Sequence, residues 1–155
     1  VVPIGGGGLM AGVTSALKAL RPRCRVIGVE PTEAPGMRPA LERGGPLPVA
    51  RPTLLADGLA APFVGARPFA VAQAALDEIV TVSEAEIEDA MRLLLARAKL
   101  LVEGAGAAAT AALLARRAAL PSHAKVVSVV SGGNVDLPRV AAIVAQVDEG
   151  AGGAR

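Results

Sequence analysis

The feature that most restricts the fold is an alternation of short β-branched runs with longer runs rich in Ala and Leu. Four short runs are typical of buried strands, at residues 1–4, 25–30, 78–82 and 125–130. Strands that alternate with helices pair in parallel, because a helical crossover returns the chain to the same end of the sheet. We therefore expect an α/β fold, with an open, mainly parallel sheet and helices on both faces.

The first helix is predicted over residues 9–20, and Pro22 should end it. Its apolar face should consist of side chains that recur at helical spacing, which are Leu9, Val13, Ala16, Leu17 and Leu20. Together with the strands on either side, this helix completes one βαβ unit.

A later helix has a clear start signal in Ser83 and Glu86. Their spacing is that of a capping box, in which the hydroxyl and the carboxylate satisfy free amides at the helix start. The helix that follows should bury side chains at helical spacing, namely Ile87, Ala90, Met91, Leu94 and Ala98.

Three more helices are expected, at residues 37–43, 105–117 and 138–147. The first lies in a proline-rich stretch of irregular turns, and the last carries a proline in its first turn, where proline is tolerated. A length of 155 residues suits one domain, which we place at residues 1–148. The glycine-rich tail, residues 149–155, should be disordered.

Charge and composition argue against several classes of protein. The net charge of +2 comes from 16 basic and 14 acidic residues spread along the chain, so we expect no nucleic-acid partner. Apolar stretches are too short to span a bilayer, and no membrane association is expected. Cys24 is the only cysteine, which excludes an intrachain disulfide and suits the cytoplasm. The opening residues lack a signal-peptide pattern and look as though the chain were cut inside a strand.

Four consecutive glycines, Gly5, Gly6, Gly7 and Gly8, separate the first strand from the first helix. Backbone amides without side chains can close around an anion at a helix N-terminus, where the helix dipole also favours negative charge. We expect a phosphate group here. A Walker loop would continue with Lys-Ser/Thr and a dinucleotide site would space its glycines more widely, so neither fits. The alternative is a plain tight turn.

A second glycine motif, Ser131-Gly132-Gly133-Asn134, directly follows the strand predicted at 125–130. Ligands of open α/β sheets bind at the carboxyl ends of the strands, so both glycine motifs should face the same edge. The Ser131 hydroxyl could then hydrogen-bond a heterocycle. Taken alone, this motif is more often a turn and helix cap.

Five ordered segments carry a family resemblance: VVPIGGGGLMAGV, GVEP, ADGLA, KLLVEGAGA and VVSGGNVDL. They resemble the C-terminal half of fold-type II pyridoxal 5'-phosphate enzymes, specifically serine/threonine dehydratases and serine racemases. The likeness covers nearly the whole chain. It implies the large-domain fold of that family, in incomplete form, with pyridoxal 5'-phosphate (PLP) as cofactor.

The resemblance also assigns roles to residues. The PLP phosphate would be bound by Gly5, Gly6, Gly7, Gly8 and the amide of Leu9. Ser131, with Gly132 beside it, would face the pyridine nitrogen. A neutral hydroxyl does not force that nitrogen to be protonated, which favours β-elimination over transamination.

Two acidic residues also match family motifs. Glu103 would lie beside the cofactor ring, or it is simply a carboxylate stabilised at a helix N-terminus, and both can hold together. Asp57 would organise a loop near the site, with a plain Asp-Gly turn as the commoner interpretation.

A cation site is implied at Glu30 and the carbonyl of Ala34. The family pattern has an acidic residue where this chain has Gly36, which puts a divalent site with the full ligand set in doubt and leaves open a monovalent or weaker one. The alternative for Glu30 is a carboxylate in a solvated loop before Pro31.

The resemblance places the family's Schiff-base lysine in an N-terminal half, and Lys18, Lys99 and Lys125 do not match it. Without that amine the chain alone should be inactive. It is expected to be a truncated product, a fragment or part of a split enzyme, completed by the missing half or a complementary chain. A homo-oligomer is also implied for the complete enzyme.

The implied reaction is loss of water from L-threonine or L-serine, which gives a 2-oxo acid and ammonia. Serine racemisation is the nearest alternative, since it begins with the same Cα deprotonation. A non-catalytic phosphate-binding or PLP-binding module is the second. Two other enzyme hypotheses are weak: Ser15 and Lys18 have Ser-x-x-Lys spacing without its companion motifs, and His123 lies in a predicted surface loop.

Overall fold

The computed structural model describes residues 1–49 and 55–145, and its centre is a parallel sheet. The described strands are β1 (Val2–Pro3), β2 (Ile27–Pro31) and β3 (Glu78–Val82), in the order β1-β2-β3. Val2 pairs with Gly28, and Gly28 pairs in turn with Ile79. Three of the predicted strands, and the parallel sheet itself, are thereby confirmed.

Six α-helices are described. They are α1 (Gly8–Leu20), α2 (Met37–Arg43), α3 (Ala66–Ala75), α4 (Glu84–Leu93), α5 (Gly104–Leu114) and α6 (Leu137–Ala145). A 3-10 turn covers Asp57–Leu59, and a π-helical turn, Leu94–Ala98, extends α4. The capping box before α4 is confirmed, since the Ser83 hydroxyl accepts from the Glu86 amide and the Glu86 carboxylate accepts from the Ser83 amide. No helix in the described ranges is long and apolar enough to cross a membrane.

Helices cover both faces of the sheet. Side chains alternate between faces along a strand, so Ile27 and Val29 share one apolar cluster with Ile87 of α4 and Ala108 of α5. The opposite face packs Val2 and Ile4 against α1, α2 and α3, through Met10, Met37 and Ala72. The predicted α/β architecture is therefore confirmed.

Helix α5 is buried over most of its length, from Gly104 to Ala112. It contacts all three strands, α4 and the 3-10 turn, and only Gly, Ala and Thr side chains are small enough for such close approach. The helix ends at Leu114, earlier than predicted, because Arg116 takes a left-handed φ of 52° that breaks the ladder.

The fourth predicted strand, residues 125–130, is not a strand in the structure. Val1 alone pairs with it: the Val1 amino group donates to the Val127 carbonyl at 2.8 Å, and the Val129 amide donates to the Val1 carbonyl at 3.0 Å. Val127 is 75% exposed. A strand needs a partner along its length, and the described residues supply one at a single position.

Two predicted helix faces are also partly wrong. In α1 the buried residues are Met10 and Thr14, whereas Leu9 is exposed and Leu20 is 73% exposed. Thr14 can be buried because its hydroxyl donates to the Met10 sulfur at 3.5 Å. Ala98 is exposed rather than buried, because the wider π-helical turn rotates residues after Leu94 off the buried face. The predicted tail and the end of the last helix lie outside the described residues.

Candidate functional site

The glycine loop joins β1 to α1, and its geometry requires glycine at its centre. Gly7 is the N-cap of α1 and has a φ of 88°, in the left-handed region that side chains disfavour. A Cβ at Gly7 would lie 2.7 Å from the Cβ of Pro68 and 2.9 Å from the Met37 methyl carbon. Strain and close approach therefore both exclude any other residue.

The loop is walled on one side and open on the other. A Cβ at Gly5 would lie 3.1 Å from the Leu59 Cα, and the Gly6 carbonyl accepts from the Gly65 amide at 3.1 Å. A Cβ at Gly8, by contrast, would meet nothing within 4 Å. The open space therefore lies beside Gly8, the first residue of α1.

The start of α1 offers amides without an intrahelical acceptor. The first intrahelical bond runs from the Ala11 amide to the Gly7 carbonyl at 2.9 Å, so Gly8, Leu9 and Met10 precede the ladder. The described helix start has no side-chain cap and no acidic residue in its first turn. Uncapped amides and the positive end of a helix dipole suit an anion such as phosphate.

The structure also brings Glu103 against the second glycine motif. Glu103 is the N-cap residue of α5, and its amide donates to the Gly132 carbonyl at 3.2 Å. Its carboxylate packs on the Gly132 Cα, because a Cβ there would overlap Glu103 Oε1. Gly106 allows the same approach from α5, since its Cβ would lie 2.5 Å from the Gly132 carbonyl oxygen. The location of Glu103 at a helix N-terminus is thus observed.

The 3-10 turn Asp57–Leu59 connects the two glycine motifs. Gly58 and Leu59 line Gly5, and a Cβ at Gly58 would lie 3.0 Å from the Ala105 Cβ, two residues after Glu103. Asp57 itself is exposed and its carbonyl accepts from the Ala60 amide at 3.0 Å, as in an ordinary turn. The residues that bridge the site are thus Gly58 and Leu59, which the sequence interpretation did not single out although they lie in one of the matching segments.

Ser131 is exposed, and the register of the Val1 pair indicates that it lies toward the same end of the sheet as the glycine loop. The two hydrogen bonds of Val1 flank Ser128 in the pattern of a parallel pair. Ile4 follows Val1 by three residues, and Ser131 follows Ser128 by three residues. Gly5 comes directly after Ile4. Both glycine motifs therefore follow the carboxyl ends of neighbouring segments.

Glu30, at the end of β2, is 1% exposed, which contradicts the alternative of a solvated loop. Its Oε1 accepts from the amides of Gly36 at 2.8 Å and Met37 at 2.6 Å, and its Oε2 accepts from the Arg38 amide at 3.0 Å. Burial raises the pKa of Glu30, although the three amides and the Arg38 charge oppose that rise. This capping role was not predicted, since the donors come from six to eight residues later.

The predicted cation site at Glu30 and Ala34 can be compared with this geometry. Both oxygens of Glu30 already accept amide hydrogen bonds, and Gly36 brings no carboxylate. In the described ranges no three His, Cys, Asp or Glu side chains group to hold a metal ion. A divalent cation with the family's full ligand set therefore does not fit, and a weaker site at the Ala34 carbonyl stays a prediction.

The contacts that the lysines make among the described residues do not involve the glycine loop. Lys18 pairs with Asp77 at 2.7 Å and with the Cys24 carbonyl at 3.0 Å. It stands ten residues beyond Gly8 on α1, which is about 15 Å along the helix axis. Lys99 donates to the Ala96 carbonyl at 2.7 Å, and Lys125 is exposed at the far end of the segment that leads to Ser131.

An apolar groove of about 610 Å³ opens at the opposite end of the sheet from the glycine loop. It runs between α1, the start of β2 and the exposed segment before Ser128, and Leu17, Val126 and Val127 are among its lining residues. The groove belongs to a different part of the fold from the phosphate-binding candidate.

Comparison with known proteins decides the family. The sequence model described as "Pyridoxal-phosphate dependent enzyme" matches residues 1–132. The chain belongs to this family. Its cofactor is accordingly PLP, and the uncapped start of α1 beside the open space at Gly8 fits the phosphate of that cofactor.

Individual relatives agree with this assignment. The L-threonine ammonia-lyase of Geobacter sulfurreducens is 45% identical over 144 residues, which cover 93% of this chain and 36% of that protein. The crystal structure of the T.th. threonine deaminase matches with a TM-score of 0.81 and 43% identity, covering 87% of this chain and 49% of that one. The serine racemase of Dictyostelium discoideum matches with a TM-score of 0.76 and 33% identity, covering 88% and 43%. The chain thus spans half or less of the length of these relatives.

Proposed function

We propose that this chain is the phosphate-binding portion of a PLP-dependent ammonia-lyase that acts on L-threonine or L-serine. The reaction would eliminate water from the substrate to give an enamine, and hydrolysis of the enamine would then give a 2-oxo acid and ammonia. The observation that carries the proposal is the uncapped start of α1, where Gly7 holds a left-handed turn and Gly8 faces open space. The similarity to the L-threonine ammonia-lyase of Geobacter sulfurreducens and to the T.th. threonine deaminase supports the choice of reaction.

Each site residue has a proposed role. The amides of the loop from Gly5 to Gly8, with that of Leu9, hold the phosphate and so fix the cofactor against the sheet edge. The Ser131 hydroxyl accepts or donates a hydrogen bond at the pyridine nitrogen, and Gly132 leaves room for Glu103 beside the ring. When bound, PLP supplies an electron sink that stabilises negative charge at the substrate Cα.

Proton transfer at Cα needs an amine that this chain does not bring to the loop. Lys18 is engaged with Asp77, Lys99 donates to the Ala96 carbonyl, and Lys125 is exposed six residues before Ser131. We therefore propose that the lysine comes from another part of the enzyme and that the chain alone is inactive. The apolar groove supports the same idea, since Val126 and Val127 leave apolar side chains exposed beside it, and adjoining exposed apolar side chains are typical of an interface.

The same proposal includes the substrate, the oligomeric state and the location of the complete enzyme. The substrate is a small amino acid, and the complete enzyme is a homo-oligomer in the cytoplasm. A monovalent or weak cation at Ala34 would be an addition to the site and no part of the chemistry. Serine racemisation is the second candidate, favoured by the structural match to the Dictyostelium discoideum serine racemase.

A cofactor titration tests the central part of the proposal. The chain is titrated with PLP and, separately, with pyridoxal, which lacks the phosphate, and binding is followed by protein-induced change in cofactor fluorescence. We expect PLP to bind and pyridoxal to bind far more weakly. Equal affinity for the two would show that the phosphate is not held.

Two further measurements address the reaction. Borohydride treatment of the PLP-treated chain should leave Lys18, Lys99 and Lys125 without a pyridoxyl adduct at stoichiometric cofactor, and a stoichiometric adduct on any of them would contradict the missing-lysine proposal. In the enzyme that carries this chain, 2-oxo acid formation from L-threonine and L-serine should exceed the rate of D-serine formation. The reverse ratio would select the racemase.

A further inference from the structure

We propose that Glu30 is a positioning residue for the phosphate-binding loop and acts on it through α2 and Met37. The inference rests on the proposed function, because it concerns the same glycine loop. It adds a residue that touches neither the cofactor nor the substrate.

Glu30 contacts the start of α2 directly. The carboxylate accepts from three successive amides, those of Gly36, Met37 and Arg38, at 2.8, 2.6 and 3.0 Å. These amides open a helix of seven residues whose N-cap residue, Gly36, has no side chain to satisfy them. A helix this short is marginal by itself and depends on its tertiary contacts. Glu30 therefore fixes where α2 begins.

Helix α2 in turn contacts the glycine loop. Met37, the first residue of α2, is fully buried, and its methyl carbon lies where it would come within 2.9 Å of a Cβ at Gly7. Pro68 of α3 lies on the same side of Gly7, with its Cβ 2.7 Å from that position. Met37 and Pro68 thus both pack on Gly7, the N-cap residue of α1.

Met37 and Pro68 affect the amides that receive the phosphate through the turn at Gly7. Gly7 has a left-handed φ of 88°, and the orientation of the Gly8 and Leu9 amides depends on that turn. If α2 shifts at its start, the Met37 methyl group no longer restrains Gly7. The amides then sample a wider range of orientations, and the phosphate is held less tightly.

The chain offers a matched control in Glu86. Glu86 also places a carboxylate at a helix start, where it accepts from the Ser83 amide at 2.8 Å, but it caps α4 on the other face of the sheet. Glu30→Gln and Glu86→Gln both weaken a helix cap. Only the first is connected to Gly7.

The experiment compares Glu30→Gln, Met37→Ala, Met37→Leu and Glu86→Gln for PLP affinity and for stability in urea. Glu30→Gln and Met37→Ala should each weaken PLP binding roughly three- to tenfold. Met37→Leu should restore most of the affinity, and Glu86→Gln should leave it unchanged despite its loss of stability. The double variant of Glu30→Gln and Met37→Ala should bind about as weakly as the weaker single variant, because both act along one path.

An NMR readout separates this inference from the proposed function. The amide resonances of Gly7 and Gly8 should shift in Glu30→Gln without cofactor and stay in place in Glu86→Gln. If those resonances move but wild type does not distinguish PLP from pyridoxal, the positioning role stands and the proposed function fails. Unmoved resonances in Glu30→Gln, equal affinity losses in Glu30→Gln and Glu86→Gln, or fully multiplicative losses in the double variant would each overturn the inference.

Discussion

A carboxylate introduced at Gly8 should separate phosphate binding from helix stability. Gly8 is the first residue of α1, has an unstrained φ and faces open space, so Gly8→Asp and Gly8→Ala fit without a clash. Gly12, one turn later on the same helix, also has nothing near its Cβ position. Gly12→Ala is therefore a matched control for the effect of replacing a helical glycine.

We expect Gly8→Asp to raise the free energy of unfolding and to lower the affinity for PLP. Replacing glycine inside a helix stabilises it by about 0.5–1 kcal/mol, and an aspartate in the first turn adds about 0.3–1 kcal/mol through the helix dipole. A phosphate with roughly two charges, about 4 Å from the new carboxylate, is repelled by at least about 2 kcal/mol even at the dielectric constant of water. That energy corresponds to roughly a thirtyfold rise in Kd for PLP.

The assay measures both quantities in the same variants. Kd comes from titration with PLP and with pyridoxal, and the free energy of unfolding comes from urea denaturation. We expect Gly8→Asp to be at least as stable as wild type yet to lose the preference for PLP, Gly8→Ala to lose part of it, and Gly12→Ala to keep it. Wild-type PLP affinity in Gly8→Asp would show that no phosphate lies at the start of α1.

Three further predictions concern the fold and the site. Ser83→Ala should lower the free energy of unfolding by about 1 kcal/mol in urea without changing PLP affinity, since it removes the cap of α4; an unchanged urea midpoint would contradict the capping role. Burial alone raises the pKa of Asp77, but the hydrogen bonds from Lys18 and Val26 and the charges of Lys18 and Arg25 bring it below the ordinary 3.8. The ionised form therefore adds stability above pH 3.8 that is lost as the pH falls through the lower folded value, and urea midpoints of Asp77→Asn should depend less on pH in that acidic range; an identical pH dependence would exclude the ion pair as the cause. Gly106→Ala should cost more than about 1 kcal/mol because its methyl group would lie 2.5 Å from the backbone carbonyl oxygen of Gly132, whereas Gly45→Ala, with open space at its Cβ, should cost less, and equal costs would contradict the packing.

Local signals in the sequence predicted much of the fold. The capping box at Ser83 and Glu86 is a short-range pattern whose two hydrogen bonds depend on residues three apart, and it formed as predicted. The strand 78–82 and the helix 37–43 have the predicted bounds, because alternation and turn residues mark both ends.

Side-chain hydrogen bonds and contacts that depend on the folded backbone could not be predicted in this way. The buried face of α1 depends on a Thr14 hydroxyl satisfied by the Met10 sulfur, which hydrophobic spacing does not reveal. The segment 125–130 has strand composition, yet pairing depends on a neighbour, and Val1 alone provides one among the described residues. Glu30 has the residue type of a cation ligand, and its capping of α2 became visible only with the backbone in place.

In the candidate site, too, some residues were predicted from local sequence and others were found only from their packing. The glycine run and the Ser131 motif were identified from sequence because each directly follows a predicted strand, and ligands of parallel sheets bind at the carboxyl ends of strands. The role of Gly58 and Leu59 as the wall between them depends on packing against Gly5 and Ala105. No local pattern predicts that contact.

A crystal structure of the chain with PLP bound would show where the cofactor phosphate lies. We expect a phosphate oxygen about 2.9 Å from the amide nitrogens of Gly8 and Leu9, with the pyridine ring extending toward Ser131. A phosphate bound elsewhere, for example at the arginines near Cys24, with no contact to the glycine loop, would exclude the start of α1 as the phosphate site.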